Sequence, residues 1–358
     1  MRAGLWEQDV WLSPFGEIDY SEVYRLAEEQ TVVGLVAAGL EHVKDVKVPQ
    51  EYALTFVGVT LQLEQRNEAM NRFLEELVEK LRNKDIYALL VKGQGIAQCY
   101  ERPKWRASGD IDLLLSNDNY KKAGDFLKSI ANKVSEEEKY SKHLALTITP
   151  WEVELHGTMR SSLCKRVDRV LDEIQYDIFY KGKVRSWLNG DTQIFLPGID
   201  NDVVFVFSHI LEHFFRAGIG YRQICDWCRL LYKNRVTINL EVIEARLRKM
   251  RLMTEWRAFA SFAVHYLGMP QEAMPFYSPD KKWKNKATRI NSFLMEVGNF
   301  GHNRDYNYFS EHTALVRKSI TLRRIMKDST RQTAIFPLDA PKFFLRYVKD
   351  GIAGSFRV

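Results

Sequence analysis

Residues 86–93 read IYALLVKG and residues 109–115 read GDIDLLL, and these two segments decide the fold class. The first is short, rich in β-forming residues and closed by a glycine, which is typical of a strand that runs into a turn. The second alternates in polarity, as a half-buried strand does. Residues 143–149 (HLALTIT) and 151–157 (WEVELHG) flank Pro150 and predict two more strands joined by a turn. The sequence therefore predicts a small sheet.

The segments on either side of this sheet have a helical pattern. Apolar residues recur at helical spacing in the first 45 residues, and the pattern after about residue 165 is again mostly helical. In the exception, residues 184–198, Asn-Gly-Asp separates two strand-like runs as in a hairpin. We predict an α+β protein with three parts: an N-terminal helical cap (1–60), a small mixed-sheet α/β core (61–165) and a mainly helical C-terminal domain (166–358).

The composition argues against several classes of protein. Apolar runs such as residues 31–40 are much shorter than the ~20 residues that a bilayer requires, so we expect no membrane span. The N-terminal residues carry charges and lack the apolar core of a signal peptide. Four cysteines in 358 residues do not form a disulfide framework, which favours a cytoplasmic location.

Charge is unevenly distributed along the chain. It has 52 Lys and Arg against 46 Asp and Glu, a formal net charge of +6. Residues 281–358 alone contain 16 Lys and Arg against 6 Asp and Glu. This basic C-terminal region suggests a polyanionic or phosphorylated partner, or an acidic neighbouring domain. The alternative is a solvated basic surface.

Asp110 and Asp112 are one residue apart on a predicted strand, so both carboxylates project from the same face. They repel each other unless a cation lies between them, so we expect that removing one charge leaves the metal-free protein equally or slightly more stable. Mg²⁺ is the natural partner, since it prefers oxygen ligands and substrate phosphates. Glu154 supplies a third carboxylate from another strand, and Glu152 on the same face competes with it. His156 either hydrogen-bonds a metal-bound carboxylate or is structural.

The turn after the first strand is a second candidate for binding. Its glycines would let backbone amides approach a triphosphate closely. Lys92 would neutralise β- and γ-phosphates, and Arg106 offers a bidentate fork for phosphate oxygens. The alternatives are that Lys92 is solvated and that Arg106 pairs structurally with Asp110 or Glu101. The turn consists of Lys92, Gly93, Gln94 and Gly95.

The order of these features resembles the nucleotidyltransferase superfamily that includes DNA polymerase β. The run LLVKGQGIAQCYERPKWRASGDIDLLL is similar, more closely, to a bacterial family of uncharacterised nucleotidyltransferases. In that family a Lys-Gly turn, an Arg shortly before the acidic strand and a Gly-Asp-Ile-Asp core recur. The resemblance continues through VELHG and SHILEHFFRAGIGYRQICDWCRLL, and covers about residues 60–235. The chain departs from the superfamily in having Gln94 where Gly or Ser usually follows, and in a longer interval before Asp110.

The resemblance implies that the predicted sheet is a nucleotidyltransferase core. It further implies metal-dependent transfer of a nucleotidyl group from an NTP to a hydroxyl or phosphate of an acceptor, which it does not identify. Asp110 and Asp112 would hold two Mg²⁺ (or Mn²⁺) ions, and Glu154 would bind the second ion or take the proton. Gly93 and its neighbours would hold the β- and γ-phosphates through backbone N–H groups.

Two other functions fit parts of the sequence. A non-catalytic nucleotide- or protein-binding module, such as an antitoxin-like partner, would retain the fold without the reaction. A zinc metallopeptidase is suggested by His209, Glu212 and His213, which match H-x-x-E-H on a predicted helix. Glu255 is the candidate third ligand. The simpler interpretation is that the two histidines line a cleft facing the α/β core.

Overall fold

A computed structural model of the chain describes residues 1–137, 142–161, 163–216, 218–299 and 314–355. It confirms the predicted α+β class: helices flank a small mixed sheet. In these ranges the strands are β1 (Ala88–Val91), β2 (Ile111–Leu115), β3 (Lys133–Val134), β4 (His143–Ile148), β5 (Trp151–His156), β6 (Val184–Asn189) and β7 (Thr192–Pro197). The helices are α1 (Arg2–Trp6), α2 (Tyr20–Glu29), α3 (Val33–Glu41), α4 (Gln50–Arg82), α5 (Gly93–Ala97), α6 (Asn117–Ile130), α7 (Lys165–Lys181), α8 (Ile199–Arg216), α9 (Tyr221–Lys233), α10 (Leu240–Met250), α11 (Met253–Leu267), α12 (Lys281–Val297), α13 (Ala314–Ile335) and α14 (Ala340–Ser355).

The described elements include the predicted hairpin and a helix that crosses one of the predicted boundaries. The predicted hairpin at 184–198 is formed by β6 and β7, which pair antiparallel. Helix α4 runs without interruption across residue 60, from the predicted cap into the predicted core. The division into three domains stays a prediction. In the described part of the chain, no helix is both long enough and apolar enough to cross a membrane.

Strand β2 is the centre of the functional part of the sheet. The strand order is β1-β2-β5-β4-β3, with β2 antiparallel to β1 and parallel to β5. All five residues of β2 are buried. In the pairing register, Asp112 lies opposite Val91 of β1 and opposite Glu154 of β5. Polar side chains from separate parts of the chain therefore meet at Asp112.

The two faces of the sheet have different surroundings. Ile111 and Leu113 of β2 and Val153 of β5 are fully buried in an apolar cluster with α4 and α6. Because side chains alternate along a strand, the residues between them face the other side. That side carries Asp112 and Glu154 and is covered by the helices that follow residue 165. Burial of the apolar face thereby fixes the direction of the carboxylates.

The segment that leads into β2 is held by the N-terminal helices. A Cβ atom on Gly34 of α3 would lie 2.0 Å from the backbone oxygen of Trp105, so the two backbones are in direct contact. From α4, the Asn67 amide donates hydrogen bonds to the carbonyls of Lys104 (2.7 Å) and Arg106 (2.9 Å). Helices α3 and α4 therefore position the loop that carries Arg106.

We expect Gly34→Ala to destabilise the protein by ~1–3 kcal/mol, because a methyl group cannot fit against a backbone oxygen without displacing α3. The matched control is Gly58→Ala in α4, where an added Cβ meets no atom within 4 Å. That change should stabilise the helix by ~0.5–1 kcal/mol. Urea unfolding of both variants measures the difference, and equal midpoints would contradict the close contact at Gly34.

Candidate active site

A cavity of about 450 Å³ lies between the polar face of the sheet and helices α8 and α9. On the helical side it is lined by residues such as His209, His213 and Arg222. The predicted site residues Gln94 and Gly95 do not line it. The other six do: Lys92, Gly93, Arg106, Asp110, Asp112 and Glu154.

The three predicted carboxylates form one cluster. An oxygen from each of Asp110, Asp112 and Glu154 lies within 4.8 Å of the others. Burial, followed by the negative charge of Asp112, raises the pKa of Asp110. The charge of Asp110 is therefore disfavoured by its surroundings. Three carboxylate oxygens this close together fit a hard divalent cation.

The charge of Asp112 is compensated within the protein. The carboxylate is 3% exposed, and its Oδ1 lies 2.7 Å from Lys92 Nζ and 2.8 Å from His156 Nε2. Burial alone would raise the pKa of Asp112, but the Lys92 charge and the His156 hydrogen bond lower it. The alternative that Lys92 is solvated is therefore wrong. These two contacts argue against relieved repulsion at Asp112, because they stabilise its charge.

Glu154 belongs to the cluster, whereas Glu152 does not. Glu154 Oε2 lies 3.0 Å from His143 Nε2 and 3.5 Å from His156 Nε2. Burial would raise the pKa of Glu154, but the hydrogen bonds from these histidines hold it well below its usual range. Glu152 is exposed, pairs with Thr147 across the sheet and does not line the cavity. The structure therefore brings Glu154, an ionised carboxylate, to the aspartates.

A family model described as an uncharacterised nucleotidyltransferase matches residues 16–268, well over half of the chain. The chain belongs to this family. The matched region contains the carboxylate cluster, the glycine turn and helices α8 and α9, so it exceeds the range over which the motifs predicted the resemblance. No curated protein and no solved structure matches the chain.

In this nucleotidyltransferase-family chain, only part of the predicted phosphate turn faces the cavity. Lys92 and Gly93 have φ angles of 59° and 43°, in the left-handed region, and both line the cavity. The buried side-chain amide of Gln94 contacts the sulfur of Met70 on α4. A Cβ on Gly95 would lie 2.5 Å from Cδ2 of Leu196 in β7. The side of the turn formed by Gln94 and Gly95 therefore packs against α4 and the hairpin.

Arg106 forms a structural ion pair, but with neither partner proposed from the sequence. Its guanidinium binds both carboxylate oxygens of Asp226 in α9, with Nη2–Oδ2 at 2.6 Å and Nε–Oδ1 at 3.1 Å. Tyr100 donates a hydrogen bond of 2.8 Å to the same carboxylate. The pairing with Asp110 or Glu101 is therefore wrong. This buried pair lies at the wall of the cavity and connects the loop before β2 to helix α9.

The H-x-x-E-H histidines line the cavity, as their simpler interpretation predicts. His209 Nε2 and His213 Nε2 lie 3.0 Å apart, and burial lowers the pKa of His213 to about 4. Within the described ranges, neither histidine belongs to a group of three side chains able to hold a metal. Glu255 is buried elsewhere and does not line the cavity. The geometry gives the zinc peptidase hypothesis no third ligand among the described residues.

Sequence reasoning missed His143 as a member of the site. It begins β4 and lies opposite His156 in the β4–β5 register. The signal was present: a hairpin that turns at Thr149-Pro150 pairs residue 143 with residue 156. Because both residues face the same side as Glu154, the register places two imidazoles beside that carboxylate.

The two aspartates should respond differently to loss of charge in the absence of metal. Asp112→Asn should destabilise the protein by about 3 kcal/mol, because it leaves the half-buried Lys92 without its closest partner. Asp110→Asn should leave the melting temperature unchanged or raise it, because burial already disfavours that charge. Thermal unfolding at pH 7 in chelator tests both, and equal losses for the two variants would contradict this assignment.

Weakening the buried Arg106–Asp226 pair should lower the unfolding free energy more than weakening a surface pair does. Arg106→Lys replaces a bidentate donor by a single ammonium group and should lower the unfolding free energy by roughly 1.5–3 kcal/mol. Arg102→Lys is the control, since Arg102 is 30% exposed and pairs with Glu7 and Glu41 near the surface. Its effect should be about 1 kcal/mol or less. Urea unfolding compares them, and a negligible effect at Arg106 would refute a structural role.

Proposed function

We propose that this protein transfers a nucleotidyl group from an NTP to a hydroxyl or phosphate group of an acceptor, releasing pyrophosphate. The observation that carries the proposal is the cluster of Asp110, Asp112 and Glu154 at the wall of a cavity of about 450 Å³. Membership of the nucleotidyltransferase family supports the same reaction class. The cavity is of the size that small-molecule sites have.

Asp110, Asp112 and Glu154 are the residues that would hold Mg²⁺ or Mn²⁺. Bound divalent ions lower the pKa of an attacking hydroxyl and neutralise charge on the transferred group and the leaving pyrophosphate. The chain supplies ligands that are already deprotonated at Asp112 and Glu154, because Lys92, His143 and His156 stabilise their charged forms. The protein thus holds two of its three proposed ligands in the form that a metal requires.

Lys92 and Gly93 are the residues that we assign to the phosphates. An ammonium group has three donors, and the bond to Asp112 uses one of them. At Gly93, an added Cβ would lie 3.6 Å from the backbone oxygen of Asp110, the one described atom within 4 Å. The turn therefore packs against the residue that precedes β2. Its backbone can therefore approach an NTP beside the carboxylates. Arg106 contributes by fixing α9 relative to the core.

Of the described residues that line the cavity, none comes from the basic C-terminal region, residues 281–358. A polyanionic partner at that region is therefore a separate prediction from the chemistry in the cavity.

Asp110→Asn should lower the transfer rate by ~10³-fold, about 4 kcal/mol, while the protein stays folded. The assay incubates the protein with α-labelled NTPs, Mg²⁺ or Mn²⁺ and a cell extract, and measures pyrophosphate release and the labelled product. Asp125→Asn, an exposed aspartate on α6, is the control for the substitution itself. NTP binding by the parent protein without any pyrophosphate release would favour the non-catalytic binding module instead.

Glu154→Gln and Glu152→Gln form a matched pair on one strand and one face. We expect Glu154→Gln to reduce transfer by ~10²-fold or more, because it removes an anionic metal ligand from the cluster. Glu152→Gln should retain the parent rate, because its side chain lies outside the cavity. The same labelled-NTP assay compares them, and a larger loss at Glu152 would mean that the third carboxylate is assigned to the wrong residue.

A further inference from the structure

Glu154 belongs to a second cluster that the proposed reaction does not use. His143 Nε2 and His156 Nε2 lie 3.0 Å and 3.5 Å from the same Glu154 oxygen, Oε2. The ligand atoms of all three side chains lie within 4.8 Å of one another. The centroids of the two imidazole rings are 5.0 Å apart. Two nitrogen ligands and one carboxylate therefore converge on one point beside the three-carboxylate cluster.

This ligand set differs in chemistry from its neighbour. Two imidazoles and a carboxylate suit transition metal ions such as Zn²⁺, whereas Mg²⁺ prefers an all-oxygen octahedral environment and loses water reluctantly. Ligands bound tetrahedrally at 2.0–2.1 Å are about 3.3 Å apart, and the two observed nitrogen–oxygen distances of 3.0 Å and 3.5 Å bracket that value. The geometry fits an ion with three protein ligands and an open position.

We propose that His143, Glu154 and His156 form a second metal site, selective for a borderline transition metal ion such as Zn²⁺. Glu154 would bridge this site to the Asp110–Asp112–Glu154 site. Two-metal centres place their ions about 3.5–4 Å apart, a separation that one carboxylate can span. The sharing of Glu154 rests on the proposed nucleotidyltransferase function, but the binding of Zn²⁺ can be measured without any transfer reaction.

Binding at this site exchanges existing hydrogen bonds for coordination. His156 Nε2 now contacts Asp112 Oδ1 at 2.8 Å, and one nitrogen cannot both donate a proton and ligate a metal. Asp112 retains its bond to Lys92 when His156 turns to the ion. Asp112 Oδ1 would then have Lys92 as its one remaining partner of these two.

The experiment measures Zn²⁺ binding to the chelator-treated full chain by calorimetry in a large excess of Mg²⁺. The test variant is His143→Gln, since His143 is 26% exposed at the start of β4 and, among the described carboxylates, contacts Glu154 alone. The control is His213→Gln, which changes another imidazole of the same cavity. Circular dichroism verifies folding, and His143→Asn is the second variant if His143→Gln unfolds.

We expect one Zn²⁺ per parent chain in the presence of Mg²⁺, and at least ~100-fold weaker binding by His143→Gln, since even outer partners of a ligand contribute 10–100-fold. Mg²⁺ affinity measured without Zn²⁺ should fall less than Zn²⁺ affinity in that variant, because all three carboxylates remain. His213→Gln should bind Zn²⁺ as the parent does.

Three results would overturn the second site: no Zn²⁺ binding by the parent in Mg²⁺, parent-like binding by His143→Gln, or loss of binding in His213→Gln alone. The last would move the ion to the H-x-x-E-H motif. Nucleotidyl transfer in Mg²⁺ without selective Zn²⁺ binding would refute this site and leave the proposed function intact. Selective Zn²⁺ binding without nucleotidyl transfer would refute the proposed function and leave the second metal site intact.

Discussion

Asp112 is a negative charge on a strand that is buried along its whole length, and the neighbouring polar groups are arranged around that charge. An uncompensated carboxylate in such a place would be protonated or would destabilise the fold. The register solves this problem, because Asp112 lies opposite Val91, and Lys92 follows directly with its ammonium group 2.7 Å away. On the other side, β5 brings Glu154 and His156 to the same face. One buried charge thus links β1, β2 and β5.

The apolar face of the sheet makes this polar face possible. Side chains along a strand alternate between the two faces of the sheet. Each residue that packs against α4 and α6 therefore has neighbours in the strand that face the opposite side. A shift of one residue in β5 would bury Glu154 in the apolar cluster and expose Val153 to the cavity. Helices α8 and α9 then close the polar face, and the Arg106–Asp226 pair fixes α9 against the loop before β2. The cavity is the space that remains between two surfaces held in this way.

Local periodicity explains what could be predicted from the sequence. The α+β class, the main strands and the shared face of Asp110 and Asp112 all follow from repeats within a few residues. The partner of Arg106 did not, because Asp226 lies 120 residues away and polarity patterns do not specify which charges meet across a fold. Which residues of the predicted phosphate turn face the cavity did not follow either, for a similar reason. Whether Gly95 faces a ligand or a leucine depends on where the distant hairpin packs.

The substitution of Gln94 into the glycine turn bears directly on whether the site can still act. Its side chain is directed to Met70 on the apolar side, so the departure from the superfamily pattern does not obstruct the cavity beside Gly93. The environment of Asp110 also favours a site that can still bind a cation. Its charge is disfavoured by burial and by Asp112, and a domain kept only as a scaffold would gain stability by losing it. A carboxylate whose charge is disfavoured, in a cluster with two others at the wall of a cavity, is a group that a bound cation would stabilise.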